Sequence, residues 1–265
     1  MTAVKNRPVV LVIAGNDPSG GAGIQADIQA ITAAGAHPAP VISALTVQDT
    51  RDAYELRPVD PELVRAQASR VLEDLQLRAI KLGVLANSGI AAAVATLLAQ
   101  AGTVPVVLDP VLAAAGGGRL AEEDLLQSLL DKLVPTATII TPNAIEIRAL
   151  APKASDHASR ARVLTDLGAA YVLAKGGDED TPDVVNILFD GSGEIDRYVY
   201  PRLPHSYHGS GCTLASAIAA RLALGLSVPE AVASAQDYTF ETLRRSYRPG
   251  RGQHVPDRWL TELDP

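Results

Sequence analysis

Apolar runs of strand length alternate along this chain with stretches of helical spacing, and that alternation restricts the folds open to it. The runs lie at 8–14 (PVVLVIA), 39–47, 78–84, 104–109, 137–141 and 170–175 (AYVLAK). Between them, at about 22–34, 60–76, 88–101, 121–134 and 156–167, apolar residues recur with the period of a helix. Strand-then-helix repetition predicts a mostly parallel sheet covered by helices on both faces, a three-layer α/β fold. Aromatics are only 4% of the residues, so Ala, Val and Leu must fill the interior, which also favours helix-on-sheet packing. Past residue 184 the pattern changes: 184–189 and 195–200, joined by Asp190-Gly191-Ser192-Gly193, predict a β-hairpin, and helices follow near 211–224 and 228–246. Gly116-Gly117-Gly118 reads as a loop and no linker splits the chain, so one domain is expected over residues 1–265.

Charge and cysteine content exclude several classes. The net charge is −7 with no long basic run, which argues against a nucleic-acid surface. Arg244, Arg245, Arg248, Arg251 and Arg258 make the C-terminal region mildly basic and read as a solvated or subunit-contacting tail. A single cysteine rules out an intramolecular disulfide and a cysteine-rich zinc site. The first apolar run is too short for a signal peptide, and no segment reaches the roughly 18 apolar residues of a membrane helix. A cytoplasmic protein that contacts no membrane is expected.

In open parallel sheets ligands bind beyond the carboxyl ends of the strands, and the unusual residues of this chain gather there. The first strand runs into Gly15-Asn16-Asp17-Pro18-Ser19-Gly20-Gly21-Ala22-Gly23; later strands end in Asp109-Pro110, Thr141-Pro142-Asn143 and Lys175-Gly176-Gly177. His208-Gly209-Ser210-Gly211-Cys212-Thr213 places the only cysteine in a glycine-rich turn opening a helix of small apolar residues. The unpartnered N–H groups of such a turn can hold a phosphate or a developing negative charge, and its dipole favours the thiolate. An inert buried cysteine is the competing reading.

These residue types suit phosphoryl transfer, which requires positive charge on the migrating group, a metal held by oxygen and a positioned nucleophile. Lys175 supplies the charge, and Asp109, Asn143 and Glu146 can orient Mg²⁺ directly or through water. The chain has neither the glycine-lysine signature of a P-loop nor a protein-kinase catalytic loop.

Taken together, the motifs resemble the ribokinase-like superfamily, and within it the hydroxymethylpyrimidine/phosphomethylpyrimidine kinases of thiamine biosynthesis. Ala14–Asp27 is similar to that family's opening signature, and Lys81-Leu82-Gly83, Leu108–Val111, Thr141-Pro142-Asn143 with Glu146, Lys175-Gly176-Gly177 and the 208–213 turn follow in the family's order. The resemblance implies ATP-dependent phosphorylation of 4-amino-5-hydroxymethyl-2-methylpyrimidine and then of its monophosphate. By the same carry-over, Gln48 hydrogen-bonds the aminopyrimidine edge, while Gly15 and Val111 line the pyrimidine pocket; Asp27, one helical turn beyond Gly23, either points into the cleft on the substrate side or solvates its helix. Lys175, Asn143, Glu146 and Ser210 serve the nucleotide, and Asp109 with Glu146 serves Mg²⁺. Cys212, with Gly209 and Gly211, forms the anion hole and takes the hydroxymethyl proton or helps hold the transition state. A homodimer is expected.

The chain departs from the family pattern in places. Asn16 replaces Ser or Thr, Ser210 replaces Thr, Val84 stands for a common Met, Ile145 for Pro and Asp178 for His, and 112–118 lack the usual polar loop residues. Two other functions remain open on this reading: a pyridoxal or pyridoxine kinase on the same fold, and a non-catalytic pyrimidine-binding regulator.

Overall fold

The computed structural model describes residues 6–112 and 123–260. Among the described residues nine strands form one sheet: β1 (Val9–Asn16), β2 (His37–Gln48), β3 (Ala53–Pro58), β4 (Leu77–Leu82), β5 (Val106–Leu108), β6 (Ile139–Ile140), β7 (Tyr171–Ala174), β8 (Asp183–Asp190) and β9 (Gly193–Pro201). Their order is β3-β2-β1-β4-β5-β6-β7-β8-β9. The six strands from β2 to β7 pair in parallel, and β3, β8 and β9 join antiparallel at the two edges.

Strand period decides which face each side chain covers. Val10, Val12 and Ala14 of β1 belong to one core, and Leu11 and Ile13 to the other; Val107, Ile139 and Leu173 are separated in the same way from Leu108, Ile140 and Val172. The first core is closed by α1 (Gly23–Ala33), α7 (Ser210–Ala223) and α8 (Val228–Arg244). The second is closed by α2 (Pro61–Asp74), α3 (Ser88–Ala101), α4 (Glu123–Ser128), α5 (Ala144–Leu150) and α6 (His157–Asp166). Successive connections leave β1 toward opposite sides of the sheet, so a crevice opens beyond its carboxyl end. The three-layer, mostly parallel architecture expected from the alternation is the one observed.

Differences from the sequence reading have local causes. The edge strand β3 (AYELRP) is largely exposed and carries no alternating apolar pattern to reveal it. Helix α5 has only seven residues, too few for a periodic signal. The expected helix over 121–134 begins within the described residues at Glu123 and passes through a wider π turn, Leu129–Leu133, and a 3₁₀ turn, Val134–Thr136. Residues 113–118 of the glycine-rich loop, and positions 121 and 122 of that helix, lie outside the described residues.

Of the arginines expected on a solvated or subunit-contacting tail, Arg244, Arg248 and Arg251 are exposed, but the segment itself is packed onto the domain. Residue 254 pairs with Tyr207, Val255 pairs with Tyr247, and Gln253 donates its N–H to the Thr50 carbonyl. Arg258 is 1% exposed. No helix among the described residues is long and apolar enough to cross a membrane.

Candidate active site

A cavity of about 570 Å³ lies at the carboxyl ends of the parallel strands and is bounded by the turn before α7. It brings together Gly15, Gln48, Asp109, Val111, Asn143, Glu146, Lys175, Gly209, Ser210, Gly211 and Cys212, residues spread over almost 200 positions of sequence. Asp27 is the exception: the structure places it behind the wall, with no exposure.

The charged centre rests on adjacent strand ends. Lys175, just past β7, places Nζ 3.0 Å from Asp109 Oδ1, which also accepts the Thr141 hydroxyl at 2.9 Å. Burial pulls the Lys175 pKa down, but Asp109 and Glu146 more than offset this and the ammonium is favoured. Burial pushes Asp109 up, and Lys175 with Lys81 outweighs it, so the carboxylate stays ionised. Asn143 caps α5: its Oδ1 accepts the N–H groups of Ile145 and Glu146, while Glu146 Oε2 accepts the Asn143 N–H at 2.8 Å. This reciprocal box holds Glu146 against the site. Burial pushes the Glu146 pKa up to about 7, with Lys175 opposing the rise.

Beside this centre, glycines permit close approach. A Cβ on Gly211 would lie 3.1 Å from Lys175 Nζ, so the first turn of α7 is held against the ammonium. Gly209, the residue before α7, has φ +81°, and a Cβ there would run into the Gly21 carbonyl oxygen. The opening glycine loop and the α7 turn therefore touch. Asp17 bridges them: it accepts the N–H groups of Ser19 and Ala22 and pairs with His208 Nε2 at 2.8 Å. His208 is thus a structural clasp.

Cys212 is partly exposed at the cavity wall. Burial pushes its thiol pKa up, opposed by Lys81. The thiolate expected from the helix terminus alone is corrected here, because desolvation outweighs the favourable field and the neutral thiol is preferred at pH 7. Asp27, expected at the substrate, is engaged elsewhere: both its oxygens take Lys81 Nζ, at 2.9 and 3.0 Å, and Oδ1 also accepts the Ser216 hydroxyl at 2.6 Å. The pair joins β4, α1 and α7 beneath Cys212.

Sequence reasoning assigned no role to Lys81, Asn186, Arg202 and Gln236, which also line this cavity. Lys81 lies within a recognised motif, but as a lone lysine in an apolar strand it gave no sign of its partner. Asn186 accepts the Gly176 N–H and donates to Gln236 Oε1, each at 2.9 Å, fixing the strand end behind Lys175. Arg202 donates to the carbonyls of Gly177, Glu179 and Thr181, closing the loop that follows Lys175-Gly176-Gly177. These contacts span long sequence separations and leave no local pattern. At the opposite end, Gln48 Nε2 donates to Thr46 Oγ1 at 2.7 Å, and Gly15 faces Val84, where a Cβ would be 3.6 Å away. Gln48, Gly15, Val84 and Val111 line the part of the cavity that lies over the ends of the neighbouring strands β2, β1, β4 and β5.

Among the described residues no group of three or more His, Cys, Asp or Glu side chains could hold a metal ion alone. Asp109 Oδ2 and Glu146 Oε1 nevertheless have no protein hydrogen bond among the described residues. Two carboxylates with free oxygens fit Mg²⁺, which keeps most of its shell as water and phosphate oxygens.

Solved structures share this architecture. The chain matches a Bacillus subtilis pyridoxal kinase, in an ADP complex, with a TM-score of 0.88 at 27% identity, covering 98% of this chain and 100% of that one. A phosphomethylpyrimidine kinase from Clostridium difficile matches at 0.76 and 34% identity, covering 89% and 100%. Fold and cavity together define a small-molecule kinase of the ribokinase-like class.

Among curated proteins, the hydroxymethylpyrimidine/phosphomethylpyrimidine kinase of Rhizobium meliloti is 37% identical over 95% of this chain and 98% of its own length. The thiamine biosynthesis bifunctional protein of Geobacter sulfurreducens is 40% identical over 94% of this chain, which spans about half, 52%, of that longer protein. Residues 17–257 match the phosphomethylpyrimidine kinase family, and the chain belongs to that family.

Proposed function

We propose that the protein transfers the γ-phosphoryl group of ATP to the hydroxymethyl oxygen of 4-amino-5-hydroxymethyl-2-methylpyrimidine, and then a second phosphoryl group to the monophosphate. The observation that carries this reading is the convergence of Lys175, Asp109 and the Gly209–Cys212 turn on one cavity whose other end holds Gln48. The whole chain acts as one kinase domain in this account.

The pyrimidine occupies the compartment of Gly15, Gln48, Val84 and Val111. Gln48 can both donate and accept, which suits a ring nitrogen beside an amino group. Lys175 holds the phosphates; Asn143, Glu146 and Ser210 line the same side. Asp109 and Glu146 would hold Mg²⁺, which supplies charge neutralisation on the phosphates when bound. The hydroxymethyl oxygen forms a bond to the γ-phosphorus as the bond to the ADP oxygen breaks, and its proton leaves late, as befits a loose transition state. A neutral Cys212 thiol, with the N–H groups of the turn, holds the negative charge on the transferring group rather than removing the proton before attack.

A pyridoxal kinase reading is favoured by one observation, the higher TM-score to the Bacillus enzyme. Identity points the other way: 37% to the Rhizobium pyrimidine kinase against 27% to that structure. Pocket-lining side chains, rather than backbone course, set substrate choice. Leu45, Val47 and Tyr54 are exposed on the β2–β3 edge, which supports the expected homodimer. Mass analysis of the product is the direct test. Mono- and then diphosphate from hydroxymethylpyrimidine and ATP is expected; ADP formation with other alcohols alone would reject the reading.

A further inference from the structure

We propose that Arg258 is a positioning residue of the phosphoryl-transfer site: from the C-terminal segment it fixes the peptide at the mouth of the anion hole. The inference rests on reading the Gly209–Cys212 turn as that hole.

Arg258 does not line the cavity, yet its guanidinium is buried directly behind it. Nε donates to Thr213 Oγ1 at 2.8 Å, one terminal nitrogen donates to Gln29 Oε1 at 3.1 Å, and the other donates to the Gly21 carbonyl. No carboxylate among the described residues forms an ion pair with it. Asp27 acts on it only at longer range and burial still pulls its pKa down; a buried charge without a direct ion pair costs several kcal/mol, so a plain packing role would be served better by an apolar side chain. The positive charge instead faces the two backbone segments that meet at the proposed hole.

The hydrogen bonds have only one consistent direction. Arginine can only donate, so Thr213 Oγ1 accepts from it and must send its own proton elsewhere. That proton goes to the Gly209 carbonyl, 2.8 Å away, which also accepts the Thr213 N–H at 2.9 Å. Two donors thus hold the Gly209 carbonyl oxygen along α7. Because the trans peptide is rigid and planar, the Ser210 N–H on its other side points out of the helix, toward the cavity that Ser210 lines. Through Gly21, the same guanidinium fixes the opening glycine loop, whose carbonyl already abuts Gly209. The segment carrying Arg258 is anchored in turn: the Tyr238 hydroxyl of α8 donates to the Arg258 carbonyl at 2.6 Å.

The position of an N–H group aimed at a transition state matters more to turnover than to ground-state binding. Steady-state kinetics of Arg258→Met, Arg258→Lys and Thr213→Val test the idea, using whichever vitamin alcohol the wild type phosphorylates. Arg258→Met should lower kcat by roughly a hundredfold, with little change in KM for ATP or the alcohol. Arg258→Lys should recover part of the loss. Thr213→Val should lower kcat in the same way, and the double variant with Arg258→Met should be no worse than Arg258→Met alone. An active wild type with Arg258→Met at wild-type kcat, or with only KM raised, would overturn the inference while leaving the kinase reading intact. A wild type inactive on every vitamin alcohol would overturn both. If Arg258→Met does not fold, wild-type kcat in Arg258→Lys and Thr213→Val overturns it.

Discussion

Cys212 and Lys175 lie on the same cavity and should fail differently. If the thiol holds charge that develops only in the transition state, as proposed, Cys212→Ala should cost about 10²-fold in kcat with KM for ATP nearly unchanged. On the proposed reading Lys175 contacts phosphate in ground and transition states alike, so Lys175→Ala should raise KM for ATP and lower kcat together. Nucleotide titration alongside steady-state kinetics separates the two; unchanged turnover in Cys212→Ala would end the thiol's assigned role. Glu146 gives a pH signature. Its carboxyl is pushed up to about 7 by burial, above the ordinary 4.5, so the charged form that serves Mg²⁺ appears only as pH rises through that value. Mg²⁺ affinity of the nucleotide-free protein should therefore rise with pH through about 7, and Glu146→Gln should remove that dependence in a metal titration. The stability sign is opposite. Between 4.5 and about 7 the folded state binds a proton that the unfolded chain has released, so stability falls with rising pH in that window.

At the scale of elements, the site depends on where backbone segments touch. Gly209→Ala places a Cβ at φ +81° and against the Gly21 carbonyl. It should destabilise the fold by about 1–3 kcal/mol and also depress kcat, which chemical denaturation and kinetics check on the same sample. This junction also marks what sequence can and cannot tell. The alternation of apolar runs and helical spacing was enough for the parallel sheet, because buried strands and their covering helices each write a local period into the chain. Strand-end residues such as Asp109, Asn143 and Lys175 were legible because topology fixes which end of a parallel sheet is free. The edge strand β3 was not, since an exposed strand carries no apolar pattern. Asp27 and Arg258 were misplaced for a shared reason: each is a charged residue buried by partners far away in sequence, Lys81 and Ser216 for one, Gly21, Gln29 and Thr213 for the other. Polar residues next to glycine motifs read as site or solvent, and only the fold reveals a third place for them.

For the molecule as a whole, the exposed apolar residues Leu45, Val47 and Tyr54 stand on the same sheet edge that carries Gln48. If that edge is the dimer contact, Tyr54→Asp combined with Val47→Asp should shift the protein from dimer to monomer in light scattering while leaving its thermal midpoint within a few degrees. A wild type that is monomeric at micromolar concentration would remove the dimer from the account. The central claim concerns substrate. On the proposed reading Gly15, Val84 and Val111 line the ring's pocket and Gln48 meets the aminopyrimidine edge, although the backbone matches a pyridoxal kinase with a TM-score of 0.88 against 0.76 for a pyrimidine kinase. The deciding measurement is kcat/KM for hydroxymethylpyrimidine, its monophosphate and pyridoxal, taken side by side in one coupled ADP assay. Higher values for both pyrimidines than for pyridoxal are expected. A higher value for pyridoxal, or ADP release with pyridoxal alone, would contradict the account.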